Sequence, residues 1–332
     1  MRKRRVKFNG AGYYHVISRV VDRLFKLVDD EPGILIETMR KVEDFSGVRV
    51  VDYVIMSNHI HLLVFASGLC LAGEEELLRR YGALYGDDGA KALKQRWEGF
   101  RKEGRTAELD AEKEALRRRM DDVSAFMKTL MQRVTMSYNS RHDRTGTLWE
   151  GRFKSLLVEP RALPILSAYI ALNPVRAKIR RDPKDFVYSG YGAAVGGDPR
   201  ARAGLVEVYA AAGMVGRTWE EVAEEHRMFI YGRGGRQGIH SPIFSRKEVE
   251  RVLAEGGKLT IFQLLRCRVR YFTAGFALGS APFVEDQFRA NPDHFGKTRK
   301  TGARKIRAYS GEMGELYVAR NLRKDVFRPM EA

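Results

Sequence analysis

The ten residues Met56–Phe65, MSNHIHLLVF, place two histidines one residue apart inside a strongly apolar segment. A β-strand sends alternate side chains to opposite faces, so we expect His59 and His61 to project together, with Cβ atoms about 7 Å apart. Two imidazoles placed in this way could hold one metal ion. A buried pair that only satisfies hydrogen bonds is the competing interpretation. The metal interpretation gains weight because the histidines begin an otherwise apolar stripe, at a strand end.

The segments around this stretch predict an α+β fold. A strand over residues 13–21 is followed by a helix from Glu31 to Gly47, with Pro32 suited to its first turn. The order that results, β, α, β, β, then helices, then β, α, is compatible with a ferredoxin-like split βαβ antiparallel sheet with helices. The remaining elements are predicted as strands at 48–55, 60–65 and 154–158 and as helices at 71–85, 109–138 and 162–172.

Changes in composition suggest three regions. We expect a core domain over residues 1–181 with a charged helical insertion at about 86–119, and a glycine-rich connecting segment over 182–216. Residues 217–332 predict a basic, mainly helical C-terminal region. Two short helices across the turn FTAGFALG there could form a helix-turn-helix DNA reader or a plain helical packing unit.

The charge of the chain favours a polyanionic partner. Its 332 residues include 59 Lys and Arg against 42 Asp and Glu, a formal net charge of +17. Such an excess favours nucleic acid through phosphate contacts, although a solvated cationic surface remains open. The basic start MRKRRVKF leads into no long apolar stretch, so we expect a cytoplasmic protein without a membrane partner. Cys70 and Cys267 match neither a CxxC pair nor a zinc spacing, so we expect both to be reduced, packed thiols.

The residues that flank the histidine pair exclude two other classes of phosphate enzyme. A histidine-triad nucleotide hydrolase requires a third histidine at position 63, which is Leu63 here. A two-histidine phosphoesterase requires Ser or Thr two residues after each histidine, where this chain has His61 and Leu63. Neither class fits.

A second group of polar residues lies in LPILSAYIALNPVRAK, residues 163–178. Helical spacing puts Tyr169 and Asn173 on one face, four residues apart, so a phenol and an amide oxygen could approach the same point. The alternatives stay open, because Asn173 is also a suitable N-cap for a helix that begins at Pro174, and Tyr169 could simply be packed.

Three motifs in this order, HIHLL at 59–63, GTLWEGRFKS at 146–155 and YIALNPVRAK at 169–178, resemble those of a known family. They look like the single-tyrosine HUH transposases, in particular the branch of REP-associated tyrosine transposases, where HUH means histidine, hydrophobic residue, histidine. YYHVISR at 13–19 is similar to the family's opening strand. The resemblance covers residues 13–179, and its fold is the same split βαβ sheet.

The resemblance implies a role for each matching residue. His59 and His61 would be ligands of a divalent metal, Mg²⁺ or Mn²⁺, with Asn173 in the place of a third ligand, and Tyr169 would be the nucleophile. Trp149 would either stack on a base or pack. The residues expected on DNA are Arg2, Lys3, Arg4, Arg5, Trp149, Arg152, Lys154 and Arg176.

The function that the resemblance implies is that of a transposase. It would be a metal-dependent endonuclease and strand transferase acting on single-stranded and hairpin DNA at palindromic repeats, through a 5′-phosphotyrosine intermediate, as a monomer or a homodimer. Two alternatives remain: a non-catalytic DNA-binding regulator that retains the fold, and a nickase of the relaxase or replication-initiator type.

Overall fold

The structure, a computed structural model, describes residues 6–231, 269–273, 275–295, 299–306 and 315–319. Helices and strands are mixed along these residues, which confirms the predicted α+β class. The chain divides into two compact units. The N-terminal unit comprises residues 8–50 and 55–154, and the C-terminal unit comprises residues 6–7, 51–54 and the described residues from 155 onward.

The N-terminal unit contains three strands and four α-helices among the described residues. Helix α1 begins with Pro32 in its first turn and ends at Gly47, whose φ of 73° and N–H bond to the Glu43 carbonyl terminate the helix as the sequence predicted. Residues 51–54 of β2 belong to the C-terminal unit. The elements are β1 (Gly12–Arg19), α1 (Glu31–Ser46), β2 (Arg49–Met56), β3 (His59–Ala66), α2 (Glu74–Lys102), α3 (Thr106–Arg117) and α4 (Val123–Arg141).

Strands β1 and β3 are antiparallel neighbours, and their register decides which side chains share a face. Residues directly opposite each other in such a pair project to the same side of the sheet. The side of β3 that carries both histidines therefore also carries alternate residues of β1. The opposed pairs on this side are Arg19 with His59, Ile17 with His61, His15 with Leu63 and Tyr13 with Phe65.

The charged segment after β3 forms helices α2 and α3, which pack against each other. Trp97 is fully buried, and its indole N–H donates to Glu112 Oε2 at 2.8 Å. Lys113 pairs with Glu74 at 2.6 Å, and Arg96 pairs with Glu112. Cross-helix ion pairs of this kind are typical of a solvated helical hairpin.

The C-terminal unit combines a small sheet with several helices. Strand β4 runs parallel to β5, while β7 is antiparallel to both β5 and β6. Lys154, the first residue of β4, belongs to the N-terminal unit. The elements are β4 (Lys154–Val158), α5 (Leu163–Ala171), α6 (Asn173–Arg176), α7 (Gly190–Val195), α8 (Pro199–Ala211), α9 (Trp219–Tyr231), α10 (Val269–Thr273), β5 (Ala277–Gly279), α11 (Ala281–Arg289), β6 (Arg304–Lys305) and β7 (Tyr317–Val318).

The glycine-rich stretch within residues 182–216, which we predicted as a connecting segment, contains helices α7 and α8. Ser189 and Asp198 cap the two helices by accepting bonds from the N–H groups of Gly192 and Ala201. A Cβ at Gly204 would collide with the Val51 carbonyl oxygen, so this glycine permits close packing. Glycine at such a position serves close approach of two backbones and does not indicate chain flexibility.

The stretch FTAGFALG is more than a turn, because Ala277–Gly279 at its end forms β5 and pairs with both β4 and β7. A three-residue strand carries too little alternation to be recognised from sequence, and only its two neighbours define it. The helix predicted on the N-terminal side of this turn lies outside the described residues, except for α10. The helix predicted after it matches α11, and Ser280 Oγ caps its start by accepting a bond from Phe283 N–H.

Within the described ranges no helix is both long and apolar enough to cross a membrane.

Candidate metal and nucleophile sites

His61 lies at the centre of a buried hydrogen bond that the sequence did not reveal. Its Nδ1 is 2.9 Å from Nε2 of His15, and the two side chains are 3% and 0% exposed. The two ring planes differ by only 17°, and the ring centres are 5.1 Å apart. The distance between the two ring centres is close to the nitrogen–nitrogen distance plus the distance from each centre to its own nitrogen. Both nitrogens therefore lie close to the line between the centres, and the rings meet edge to edge in nearly one plane. This is the geometry of an in-plane N–H···N hydrogen bond.

His59 is anchored through the same ring atom. Its Nδ1 is 2.7 Å from Oδ1 of Asn58, and an amide oxygen can only accept, so Nδ1 of His59 carries the proton. The turn that precedes β3 is itself fixed, because Asn58 accepts a bond from Val20 N–H through its carbonyl oxygen. The ring of His59 therefore has a defined tautomer in which Nε2 bears the lone pair.

The geometry of the histidine pair fits one divalent ion. Two imidazoles that share an ion, each with its nitrogen about 2.1 Å away, have ring centres roughly 5 Å apart. The ring centres of His59 and His61 are 5.1 Å apart, with the planes at 84°. In the described part of the chain no group of three or more His, Cys, Asp and Glu side chains is placed to hold a metal ion. Other ligands of an ion at this pair would therefore come from amide, water or substrate oxygens.

The N-terminal unit presents cations at the end of β1 where the histidine pair lies. Arg19 is exposed and stands opposite His59 in the β1–β3 register. The segment that contains GTLWEGRFKS runs beside the same end, because Glu150 N–H donates to the Arg19 carbonyl at 2.8 Å. Arg152 and Lys154 in this segment are exposed, as a role on phosphate requires.

Trp149 is packed and does not offer its ring to a base. The side chain is 4% exposed, and its indole N–H donates to the Met131 carbonyl at 3.1 Å. Its surroundings fit packing and not stacking on a base, because a side chain that stacks on a base must expose a ring face. The basic residues Arg2, Lys3, Arg4 and Arg5 lie outside the described residues.

In the C-terminal unit, Tyr169 lies near the end of α5, every residue of which is buried. Its side chain is only 1% exposed, and its ring stacks on Phe272 at 4.9 Å between ring centres. The guanidinium of Arg176 lies 5.4 Å from the centre of the Tyr169 ring, a cation–π contact. Attack by this phenol on DNA requires that the Tyr169 side chain be uncovered first.

Asn173 reaches back to α5 and does not cap the helix that follows it. Its Nδ2 donates to the carbonyl oxygens of Tyr169 at 3.0 Å and Ile170 at 3.2 Å. These carbonyls can only accept, so the amide nitrogen must face them and the amide oxygen points away from α5. The N-cap alternative is therefore wrong, and helical spacing correctly brought Asn173 to the end of α5 that carries Tyr169.

Comparisons with known proteins add little to this geometry. Models of known protein families give no match to the chain, and no curated protein matches it. A solved structure of a REP-associated tyrosine transposase bound to a REP hairpin is similar at 14% sequence identity, covering 59% of this chain and 87% of that chain. Its TM-score of 0.39 is too low to support a conclusion about fold or function.

His15 is the residue of the site that sequence reasoning missed. The strand YYHVISR has four alternate positions that share a face, Tyr13, His15, Ile17 and Arg19, and the sequence does not show which of them contacts His61. A third histidine at an alternating position of the neighbouring strand was the available signal. The register pairs His61 with Ile17 and His15 with Leu63, so His15 reaches His61 diagonally along this face, a contact that only the side-chain positions reveal.

Proposed function

We propose that this protein is a metal-dependent endonuclease and strand transferase that acts on single-stranded DNA through a 5′-phosphotyrosine intermediate. In this proposal the chain adopts the ferredoxin-like split βαβ fold of the single-tyrosine HUH transposases. The observation that carries it is the arrangement of His59 and His61, whose rings are 5.1 Å apart and are each hydrogen-bonded through Nδ1. Two imidazoles fixed in this way on adjacent positions of one strand face suit a metal ligand pair.

His59 and His61 would hold the ion, Mg²⁺ or Mn²⁺, and the amide oxygen of Asn173 is the candidate third ligand. Nitrogen ligands suit Mn²⁺ better than Mg²⁺, which prefers oxygen. Such an ion, when bound, polarises a non-bridging oxygen of the scissile phosphate and stabilises negative charge on the leaving oxygen.

Tyr169 would supply the nucleophile. Its phenolic oxygen attacks phosphorus in line, the bond from phosphorus to the 3′ oxygen breaks, and the 3′ oxygen leaves as a hydroxyl with a proton taken up from solvent. The phenol proton goes to solvent, so the step is balanced without a cofactor that is consumed. Because one phosphodiester replaces another, a second 3′ hydroxyl can reverse the step and join a new strand.

The charge of the chain supports DNA as the substrate. A formal net charge of +17 favours phosphate contacts, and Arg152 and Lys154 are exposed beside the end of β1. Arg2, Lys3, Arg4, Arg5 and Arg176 complete the proposed set of phosphate contacts. Single-stranded or hairpin DNA is favoured, because a phosphodiester outside a regular duplex is accessible to a side-chain nucleophile without unpairing.

One observation favours a second candidate, a non-catalytic DNA-binding regulator. Tyr169 is 1% exposed and stacked on Phe272, which is the environment of a packing residue. A protein that had lost catalysis would keep the basic surface and the fold while this tyrosine served only the core.

A covalent adduct distinguishes the two candidates. The protein is incubated with hairpin DNA labelled at its 3′ end and Mn²⁺, and the products are separated on a denaturing gel. The nuclease predicts a labelled band that migrates with the protein, is lost in Tyr169→Phe and is lost in EDTA. DNA binding measured by fluorescence anisotropy should change less than about threefold in Tyr169→Phe, because only the hydroxyl is removed.

Tyr191→Phe is the matched control, because Tyr191 is also a buried tyrosine of the C-terminal unit, at 2% exposure. It should form the adduct normally. An adduct that persists in Tyr169→Phe would exclude Tyr169 as the nucleophile, and binding without any adduct in the unaltered protein would support the regulator.

A further inference from the structure

His15 fixes which nitrogen of His61 faces the metal. The hydrogen bond of 2.9 Å joins His15 Nε2 to His61 Nδ1. One of these two nitrogens must carry the proton, and the other must accept it. Only two arrangements are possible for neutral rings. In one, His61 donates from Nδ1 and keeps a lone pair on Nε2; in the other, His15 donates from Nε2 and His61 is protonated on Nε2.

The two arrangements differ in what His61 can do. A metal ligand must offer a lone pair, and Nδ1 is already engaged by His15, so the ligating atom has to be Nε2. Only the first arrangement leaves that lone pair available. His59 shows the same pattern, since its Nδ1 donates to Asn58 Oδ1 at 2.7 Å. Both rings are then held by an acceptor behind them.

We propose that His15 is a positioning residue that accepts the Nδ1 proton of His61 and thereby holds His61 in the metal-binding tautomer and orientation. The inference rests on the proposed metal-dependent function and deepens it. Acceptors behind ligating histidines are a general means of fixing ring orientation and raising ligand basicity. A carboxylate or carbonyl is the common choice for this role. Here a fully buried imidazole takes it, which leaves no extra negative charge beside the ion.

The environment of His15 supports this role over that of an ordinary core residue. His15 is 0% exposed, and replacing it with an apolar residue would leave the Nδ1 proton of His61 without this acceptor. A buried donor that loses its partner is costly, so the ring of His61 would turn or change tautomer. Either change moves the lone pair on Nε2 of His61 away from the point at which both His61 and His59 could bind one ion.

The test compares metal-free unaltered protein with His15→Leu, His15→Gln and Tyr13→Phe. Long-range ¹H–¹⁵N spectra, recorded well above the ordinary histidine pKa of about 6.5, show which nitrogen of His61 is protonated. Mn²⁺ affinity is measured by titration calorimetry in the absence of DNA. Gln carries a carbonyl oxygen that can accept in place of Nε2. Tyr13→Phe is a matched control, because Tyr13 lies two residues away on the same face of β1.

We expect His61 to be protonated on Nδ1 in the unaltered protein, in His15→Gln and in Tyr13→Phe. His15→Leu should show a mixture of tautomers or protonation on Nε2, and its Mn²⁺ affinity should fall about 10- to 100-fold. The Mn²⁺ affinity of His15→Gln should stay within about threefold of that of the unaltered protein, because the Gln carbonyl can accept the Nδ1 proton of His61.

Two outcomes would overturn the proposal. One is a folded His15→Leu protein with unchanged His61 tautomer and unchanged Mn²⁺ affinity. The other is protonation of His61 on Nε2 in the unaltered protein, which decides the matter even if His15→Leu fails to fold. The tautomer of metal-free His61 does not depend on catalysis, so an absent DNA adduct with the expected tautomer would count against the nuclease and leave the role of His15 intact.

Discussion

Arg19 and His59 face each other directly across the antiparallel pair of β1 and β3. Arg19 is exposed, and its side chain projects from the same side of the sheet as the two histidines. In the proposed function, a guanidinium beside a metal ligand would be placed to bind a non-bridging oxygen of the DNA phosphate, a role that no motif in the sequence indicated for Arg19.

For Arg19→Ala we predict that the rate of adduct formation falls about 10- to 100-fold, because a charge-assisted contact to the reacting phosphate is lost. Arg19→Lys should recover only part of the rate, since an ammonium lacks the bidentate geometry of a guanidinium. The rate is measured under single-turnover conditions with labelled hairpin DNA. Lys94→Ala, which removes an exposed cation from α2, serves as the control and should leave it unchanged. Equal rates for Arg19→Ala and Lys94→Ala would show that Arg19 has no special role.

A buried carboxyl predicts how stability depends on pH. Asp52 is 1% exposed and accepts a hydrogen bond from Ser167 Oγ at 2.6 Å. Ser167 lies on α5, two residues before Tyr169. Burial raises the pKa of Asp52 from 3.8 to about 7, although the bonds from Ser167 Oγ and Tyr53 N–H oppose the shift. The folded protein therefore keeps a proton that the unfolded chain has already lost, and this group's contribution to stability falls as pH rises from about 4 to about 7.

For Asp52→Asn we predict that stability relative to the unaltered protein increases by about 1.4 kcal/mol per pH unit across that window and is constant above it. Asparagine keeps a similar shape and cannot ionise. Urea unfolding at several pH values measures the free energy of unfolding. A constant difference between the two proteins from pH 4 to pH 8 would show that Asp52 titrates normally.

His226 predicts the opposite dependence. It is fully buried, its Nδ1 is 3.1 Å from the Tyr209 hydroxyl, and its Nε2 has no hydrogen-bond partner among the described residues. Burial lowers the pKa of His226 from 6.5 to about 3. Between these two pH values His226 is protonated in the unfolded chain and neutral in the folded protein. The stability of the folded protein therefore decreases as pH falls from about 6.5 toward 3.

The free energy of unfolding of His226→Phe, relative to that of the unaltered protein, should therefore increase by about 1.4 kcal/mol for each pH unit below 6.5. Between about pH 4 and 6.5 the slopes from Asp52 and His226 have opposite signs and similar size, so the unaltered protein should show little net dependence from these two groups. Each slope appears only when the other group is replaced. A His226→Phe protein whose stability parallels that of the unaltered protein at every pH would contradict this account.

The contact between Phe272 and Tyr169 predicts that α10 keeps the tyrosine covered. Both side chains are almost fully buried, at 0% and 1% exposure. For Phe272→Ala we expect a loss of about 3–5 kcal/mol in the free energy of unfolding, from lost packing and the cavity that remains. We also expect faster nitration of Tyr169, measured by mass spectrometry of peptides after a brief exposure to the reagent.

Phe288→Ala is the control for that substitution, because Phe288 is a largely buried phenylalanine on α11 that packs against Phe295. It should be destabilised without a change in Tyr169 nitration. If Phe272→Ala stays folded and Tyr169 is no more reactive than in Phe288→Ala, another part of the protein covers the tyrosine. Phe272→Leu, which leaves a smaller cavity, offers the same comparison if the alanine variant does not fold.

The elements with strong local signals were predictable from the sequence. Pro32 and Gly47 mark the two ends of α1, and the alternation within HIHLL places His59 and His61 on one face of β3. The four-residue spacing of Tyr169 and Asn173 likewise brings the two together at the end of α5. These features depend on dihedral preferences and on the periods of helix and strand, which neighbouring residues set.

Only the tertiary structure decided which distant residues complete these arrangements. The register of β1 against β3 places Arg19 opposite His59 and Ile17 opposite His61, and His15 reaches His61 from the next position along the same face. Likewise, Phe272 covers Tyr169 from far along the chain, and Gly204 packs closely on Val51. A sequence specifies the period of each element, but register and packing result from the free energy of burying many side chains at once, and no local pattern contains that sum.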